Sequence, residues 1–208
     1  MSHSIKLICF DLDGCLVDSR DIHYHSLNLA LRAINPKYEI NREEHLSTYD
    51  GLSTTQKLNL LSERKGLSKA DHTKVWSTKQ DFTSQLVTQL RPDPEKVEML
   101  RQLKEEGYTV YIASNCTWKN LMLIAYYSGF LPHVDWFVSN EEVRNPKPSP
   151  DIYFQCMSRA RVTPHETLII EDSPIGRRAA QDSGAHVLLV DNPQELTLLK
   201  VRTQLNKH

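Results

Sequence analysis

Apolar residues follow two rhythms along this chain. Leu7-Ile8-Cys9-Phe10 is a compact apolar run, preceded by Lys6 and closed by Asp11-Leu12-Asp13-Gly14, which predicts a buried strand stopping at an unusually acidic turn. Over residues 21–91 apolar positions recur at helical spacing, as in His25-Ser26-Leu27-Asn28-Leu29-Ala30-Leu31 and Thr55-Gln56-Lys57-Leu58-Asn59-Leu60-Leu61. A further helix is predicted over 70–90, ended by Pro92 and Pro94. Beyond Pro94 the two rhythms alternate: helix 96–106, strand 108–113, helix 118–127, strand 134–138, helix 151–159, strand 168–170, helix 175–182, strand 186–190. This alternation predicts an α/β fold, a parallel sheet with helices on both faces, with the all-helical stretch as an insert.

Length and charge narrow the partners. A chain of 208 residues accommodates one domain, or a core at 1–16 and 92–208 carrying a helical insert at 17–91. A formal net charge of -1 provides no basic field for a nucleic-acid polymer, so any phosphate is caught locally. No apolar run is long enough to span a membrane, and the amino terminus lacks the apolar stretch of a signal peptide. Cys9, Cys15, Cys116 and Cys156 show no Cys-x-x-Cys spacing, which suits a reduced, cytoplasmic setting.

The chemistry collects at strand ends. In open parallel sheets ligands bind beyond the carboxyl ends of the strands, where Asp11 and Asp13, then Ser114, then Glu171 and Asp172 fall. An aspartate nucleophile divides a difficult phosphate-ester hydrolysis into two easier displacements. A cation such as Mg2+, held by one or two carboxylates, offsets the repulsion between that aspartate and the phosphate; Asp11 and Asp172 are the candidates. Asp13 is placed to move protons, and Lys147 and the Ser114 hydroxyl to meet charge on the transferring phosphoryl. Plainer readings exist for each. Asp-Leu-Asp-Gly also suits a solvated turn, Ser114-Asn115 the cap of the next helix, and Glu171-Asp172 an acidic first turn before Pro174. Lys147 also suits a surface position, although Pro146 and Pro148 stiffen its loop and a cis Lys147-Pro148 bond is one of two alternatives. Tyr126-Tyr127 and Trp136-Phe137 read as core packing, and a thiol role for Cys15 or Cys116 lacks a basic partner in sequence.

Four ordered segments, Phe10-Asp11-Leu12-Asp13-Gly14, Ile112-Ala113-Ser114-Asn115, Asn145-Pro146-Lys147-Pro148-Ser149-Pro150-Asp151 and Ile169-Ile170-Glu171-Asp172-Ser173, resemble the motifs of the haloacid dehalogenase superfamily, and of its beta-phosphoglucomutase-like branch in particular. The resemblance implies a Rossmann-like core with an inserted cap. It makes Asp11 the nucleophile and Asp13 the acid/base, with Ser114, Asn115 and Lys147 on phosphate. It also implies a Mg2+ site of Asp11, Asp13 (through its carbonyl), Asp172 and, through a water, Glu171. From the cap, His23, Ser53 and Thr54 are the expected substrate contacts, with Lys57 a weaker one. The sugar-phosphate mutases carry an arginine where this chain has Thr54. The expectation is therefore a phosphatase acting as a monomer on a small phosphorylated molecule. The alternatives are a phosphomutase and a non-catalytic module that binds a phosphorylated ligand.

Overall fold

A computed structural model describes residues 4–208. Residues 1–3, where the expected core begins and the reading of the amino terminus falls, lie outside the described residues. Strands β1 (Leu7–Phe10), β2 (Thr109–Ala113), β3 (Trp136–Val138), β4 (Thr167–Glu171) and β5 (His186–Leu189) form a parallel sheet in the order β3-β2-β1-β4-β5. The chain steps from β1 outward to β2 and β3, then crosses to β4 on the other side of β1. That reversal between β1 and β4 opens a crevice at their carboxyl ends. Phe10 pairs with both Ile112 and Ile170, so the residues that follow β1, β2 and β4 leave the sheet at one edge. All four residues of β1 are buried, as a central strand covered on both faces requires.

The helical stretch comprises α1 (Arg20–Arg32), the short α2 (Arg42–Glu44) running into a wider turn at His45–Tyr49, α3 (Thr54–Lys65) and α4 (His72–Leu86). Leu27 and Leu31 of α1, Leu58 and Leu61 of α3 and Val75 of α4 close an apolar cluster with Tyr38, Ile40, Tyr49 and Leu67. Helix α3 begins on a reciprocal cap between Ser53 and Gln56 and ends at Gly66, whose φ of 69° suits a left-handed C-cap. The predicted helix 70–90 divides into α4 and a 3-10 turn at Val87–Gln89. Pro94 then opens the next helix, with Asp93 as its cap.

Helices α5 (Pro94–Glu105), α6 (Trp118–Tyr127), α7 (Asp151–Ala160), α8 (Pro174–Asp182) and α9 (Leu198–Leu205) cover the sheet. Alternation along β1 separates two layers. Ile8 and Phe10 pack with Met99, Leu100, Leu121, Ile124 and Val201 from α5, α6 and α9. Leu7 and Cys9 face Ile152, Tyr153 and Cys156 of α7 and Ala179 and Ala180 of α8. Phe137 joins this packing as expected, but Tyr126 is exposed, so the core reading of that tyrosine does not hold. Among the described residues no helix is long and apolar enough to cross a membrane.

Candidate active site

The turn after β1 sends two carboxylates into the crevice. Gly14, with φ at 90°, makes the turn possible, and a Cβ there would sit 2.2 Å from Asp172 Oδ2. The first motif therefore needs glycine so that the first and fourth motifs can touch. Asp11 is 7% exposed, and its Oδ1 accepts a 2.6 Å hydrogen bond from Lys147 Nζ. The same ammonium donates to Glu171 Oε1 at 2.6 Å and to the Ala113 carbonyl at 2.9 Å. The Tyr153 hydroxyl also donates to Glu171 Oε1, and Gly176 of α8 leaves no room for a Cβ against the Glu171 carboxylate. Lys147 is thus no surface lysine. Its loop contains a cis Lys147-Pro148 bond.

Asp13 has four donors around it: the Ser19 hydroxyl, His23 Nε2 at 2.9 Å, Ser114 Oγ at 3.0 Å and Cys116 Sγ at 3.0 Å. Burial alone would raise its proton affinity, but His23, Cys116 and Ser19 hold the carboxyl well below the usual carboxylate range. His23 is itself pushed down, first by burial and also by the nearby Lys79, whereas Asp13 pulls it upward. Asp13 is thus held ionised in hydrogen-bond contact with the His23 ring.

The other acids are short of positive charge. Burial, then Glu171, raises the Asp11 carboxyl well above its ordinary value in spite of Lys147. Asp172 is pushed up to about 6 by burial and Glu171, against the Arg20 guanidinium 2.8 Å from its Oδ2. One oxygen of each of Asp11, Glu171 and Asp172 lies within 4.8 Å of the others, and Asp172 Oδ1 is buried with no hydrogen-bond partner among the described residues. An all-carboxylate donor set, an unpartnered oxygen and an excess of negative charge fit a hard divalent cation such as Mg2+.

A match to the model of the haloacid dehalogenase-like hydrolases extends over residues 8–190, from β1 to beyond β5. The chain belongs to that family. A bifunctional riboflavin kinase/FMN phosphatase from Arabidopsis thaliana is 32% identical over 119 residues, a match spanning 57% of this chain and 31% of the plant protein. Protein CbbY from Rhodobacter capsulatus is 24% identical over 93% of this chain and 87% of its own. The solved beta-phosphoglucomutase of Clostridium difficile superposes with a TM-score of 0.84 at 19% identity, covering 98% of each chain, a likeness of fold.

In this member of the haloacid dehalogenase-like hydrolases the remaining expected residues divide. Ser114 lies beside Asp13, and the N-cap position of the helix after it is Thr117, with no cap hydrogen bond from its side chain, not Ser114-Asn115. The Asn115 side chain spans two loops: its Nδ2 donates to the carbonyls of Gly51 (3.0 Å) and Lys147 (3.2 Å), while its Oδ1 accepts from Lys147 N at 3.0 Å. Asn115 therefore fixes the lysine loop with its side chain. His23 and Thr54 line the cleft, whereas the Ser53 hydroxyl is used to cap α3. Asp50, Lys79, Gln80, Cys116, Thr117 and Ser173 also line it, and sequence reasoning assigned none of them to substrate. For Lys79 a signal existed: Val75, Lys79 and Thr83 recur every four residues on α4 and are all buried.

Proposed function

We propose that the chain is a magnesium-dependent phosphatase that hydrolyses a small phosphomonoester, a sugar, polyol or nucleotide phosphate, through an aspartyl-phosphate on Asp11. Residues 1–16 and 92–208 form the catalytic core and 17–91 a cap over the substrate, working as a monomer in a reduced cytoplasm that suits the free cysteines. The observation that carries this reading is the convergence of Asp11, Asp13, Ser114 and Lys147 at the point where the sheet order reverses.

In the first step an Asp11 oxygen bonds to phosphorus as the ester P–O bond breaks, and the leaving oxygen takes a proton from Asp13. Asp13, ionised in the free site, first takes up a proton from solvent as the arriving phosphate dianion raises its proton affinity, and it is this proton that it donates. In the second step water attacks phosphorus, Asp13 accepts its proton and the bond to Asp11 breaks. Lys147, fixed by Glu171, meets charge on the phosphoryl oxygens, and Ser114 adds a hydroxyl donor. Asp11, Asp172 and the Asp13 carbonyl would hold Mg2+, with Glu171 in support; bound magnesium offsets the charge of nucleophile and phosphate.

Asp11→Asn tests the assignment directly. Phosphate release from p-nitrophenyl phosphate with Mg2+ is expected to fall by about 10⁴-fold or more, with the circular dichroism spectrum unchanged. Activity within tenfold of the parent would remove Asp11 as nucleophile.

A further inference from the structure

Two cap lysines face the cleft with no carboxylate in direct contact among the described residues; the negative charges that act on them are more distant, Asp50 and Asp13 on Lys57 and Asp13 on Lys79. Lys57 of α3 and Lys79 of α4 both line the cleft, and each is 4% exposed. Among the described residues Lys57 Nζ has no hydrogen bond and no ion pair, and Lys79 Nζ meets His23 Nδ1 at 3.4 Å. Lys147, by contrast, is enclosed by two carboxylates and a carbonyl. Taking an unpaired ammonium out of water costs several kcal/mol, and burial pushes both cap lysines down, Lys79 to about 8.

Apart from Asp50, which pairs with Arg20 at 3.5 Å, the rest of that wall is neutral and self-satisfied. Gln80 Nε2 donates to Thr54 Oγ1 at 3.0 Å, Asn120 Nδ2 to Gln80 Oε1 at 2.7 Å, and Ser84 Oγ to Asn120 Oδ1 at 3.0 Å. Thr54 thus offers no charge to a substrate, but Lys57 stands nearly one helical turn further along the same helix. The phosphoryl group at Asp11 draws on Lys147 and the metal. The cap ammonium groups remain for the part of the substrate that leaves, and an uncharged polyol would leave both unpaired.

Resting on the phosphatase reading, we infer that Lys57 and Lys79 form an anion subsite, so that the preferred substrate carries a second negative group, a carboxylate or a second phosphate, on its leaving portion. Matched esters test this. 3-Phosphoglycerate and glycerol 3-phosphate differ by a carboxylate in place of a hydroxymethyl group; 1,3-propanediol bisphosphate and its monophosphate differ by the second phosphate. Released phosphate or alcohol is followed with Mg2+, and kcat/KM is compared within each pair. Charge-assisted hydrogen bonds predict a preference of about ten- to a hundredfold for the anionic member of at least one pair, and which pair responds identifies the anion. Lys57→Met and Lys79→Met should each reduce that ratio by about tenfold or more, mainly through KM. Melting temperatures show that the variants are folded, and Lys57→Arg, which restores the charge, should recover the ratio if Lys57→Met is unstable. Turnover of p-nitrophenyl phosphate with ratios near one in both pairs overturns the subsite and leaves the phosphatase reading standing. No turnover of any ester, the aryl phosphate included, overturns the phosphatase reading and the subsite with it.

Discussion

Replacing Lys147 by methionine removes the cation that joins Asp11 to Glu171. Breaking a buried ion pair from one side costs about 3–5 kcal/mol, because the surviving charge stays buried and uncompensated. Glu171 keeps the Tyr153 hydroxyl and the Asp172 amide as donors, whereas Asp11 loses its ammonium partner. The upper part of the range, about 4 kcal/mol, is therefore expected at pH 8 in EDTA. The pH dependence has a definite sign. The Asp11 carboxyl is already raised by burial and by Glu171, and losing Lys147 raises it further. A carboxyl raised above its unfolded value favours folding only in its protonated form, so the penalty is full above the raised pKa and shrinks as pH falls. Urea unfolding at pH 8 and pH 5 should show the deficit shrinking by at least about 1.4 kcal/mol, one pKa unit's equivalent. Turnover of p-nitrophenyl phosphate should fall by about 10²–10³-fold. A deficit below about 1 kcal/mol that is the same at both pH values would refute this account of the cluster.

Asp172→Ala should raise the Mg2+ concentration for half-maximal activity by about tenfold or more, since it deletes the unpartnered buried oxygen; an unchanged magnesium titration removes it from the ligand set. His45 is fully buried, both ring nitrogens lack hydrogen-bond partners among the described residues, and burial, then Lys57, pushes it down to about 3. Its neutral form stabilises the fold above the unfolded value of about 6.5, and that contribution is lost as pH falls toward 3. The parent should thus lose about 2 kcal/mol more than His45→Phe between pH 7 and pH 5, and equal losses would contradict the burial argument.

The sheet was legible because its strands are short apolar runs whose ends carry acids or hydroxyls, and β1, α6 and α8 fall within two residues of expectation. The motifs after β1, β2 and β4 were legible for the same reason, whereas Lys147 lies in a loop well beyond β3 and was marked by its flanking prolines and the resemblance. Helix α9 was not anticipated: of its residues only Val201 and Leu205 are buried, too few to mark a face by period. The turn at His45–Tyr49 was missed because its buried residues are His45 and Tyr49, which are not strongly apolar. Lys79, unlike Lys57, which was an expected if weaker contact, shows the deeper limit. Lysine normally marks a solvated face, and a buried one takes its meaning from groups on other helices that sequence spacing does not relate.

Those same helices reach the loops of the site through polar contacts, beside apolar packing of Ile22 and Val87 on the core. Arg20 joins Asp172 at 2.8 Å to Asp50 at 3.5 Å; Gln56 Nε2 donates to the Lys147 carbonyl at 3.3 Å; Asn115 reaches Gly51. Gly51, with φ at 73°, packs so closely on Ser173 that a Cβ would lie 3.2 Å from it. Water can replace each of these hydrogen bonds at modest cost, whereas the apolar cluster of α1, α3 and α4 shares no residue with the two sheet layers. On the proposed division of the chain, the cap would move off the site without opening its own apolar cluster. A ligand shifts such an equilibrium only by binding one arrangement better than the other. An anion that pairs with Lys57 and Lys79 while its phosphoryl end sits at Asp11 has that difference built in, because both partners are near it only when the cap is closed. Substrate charge would then select the substrate and favour the water-excluding closed arrangement in a single interaction.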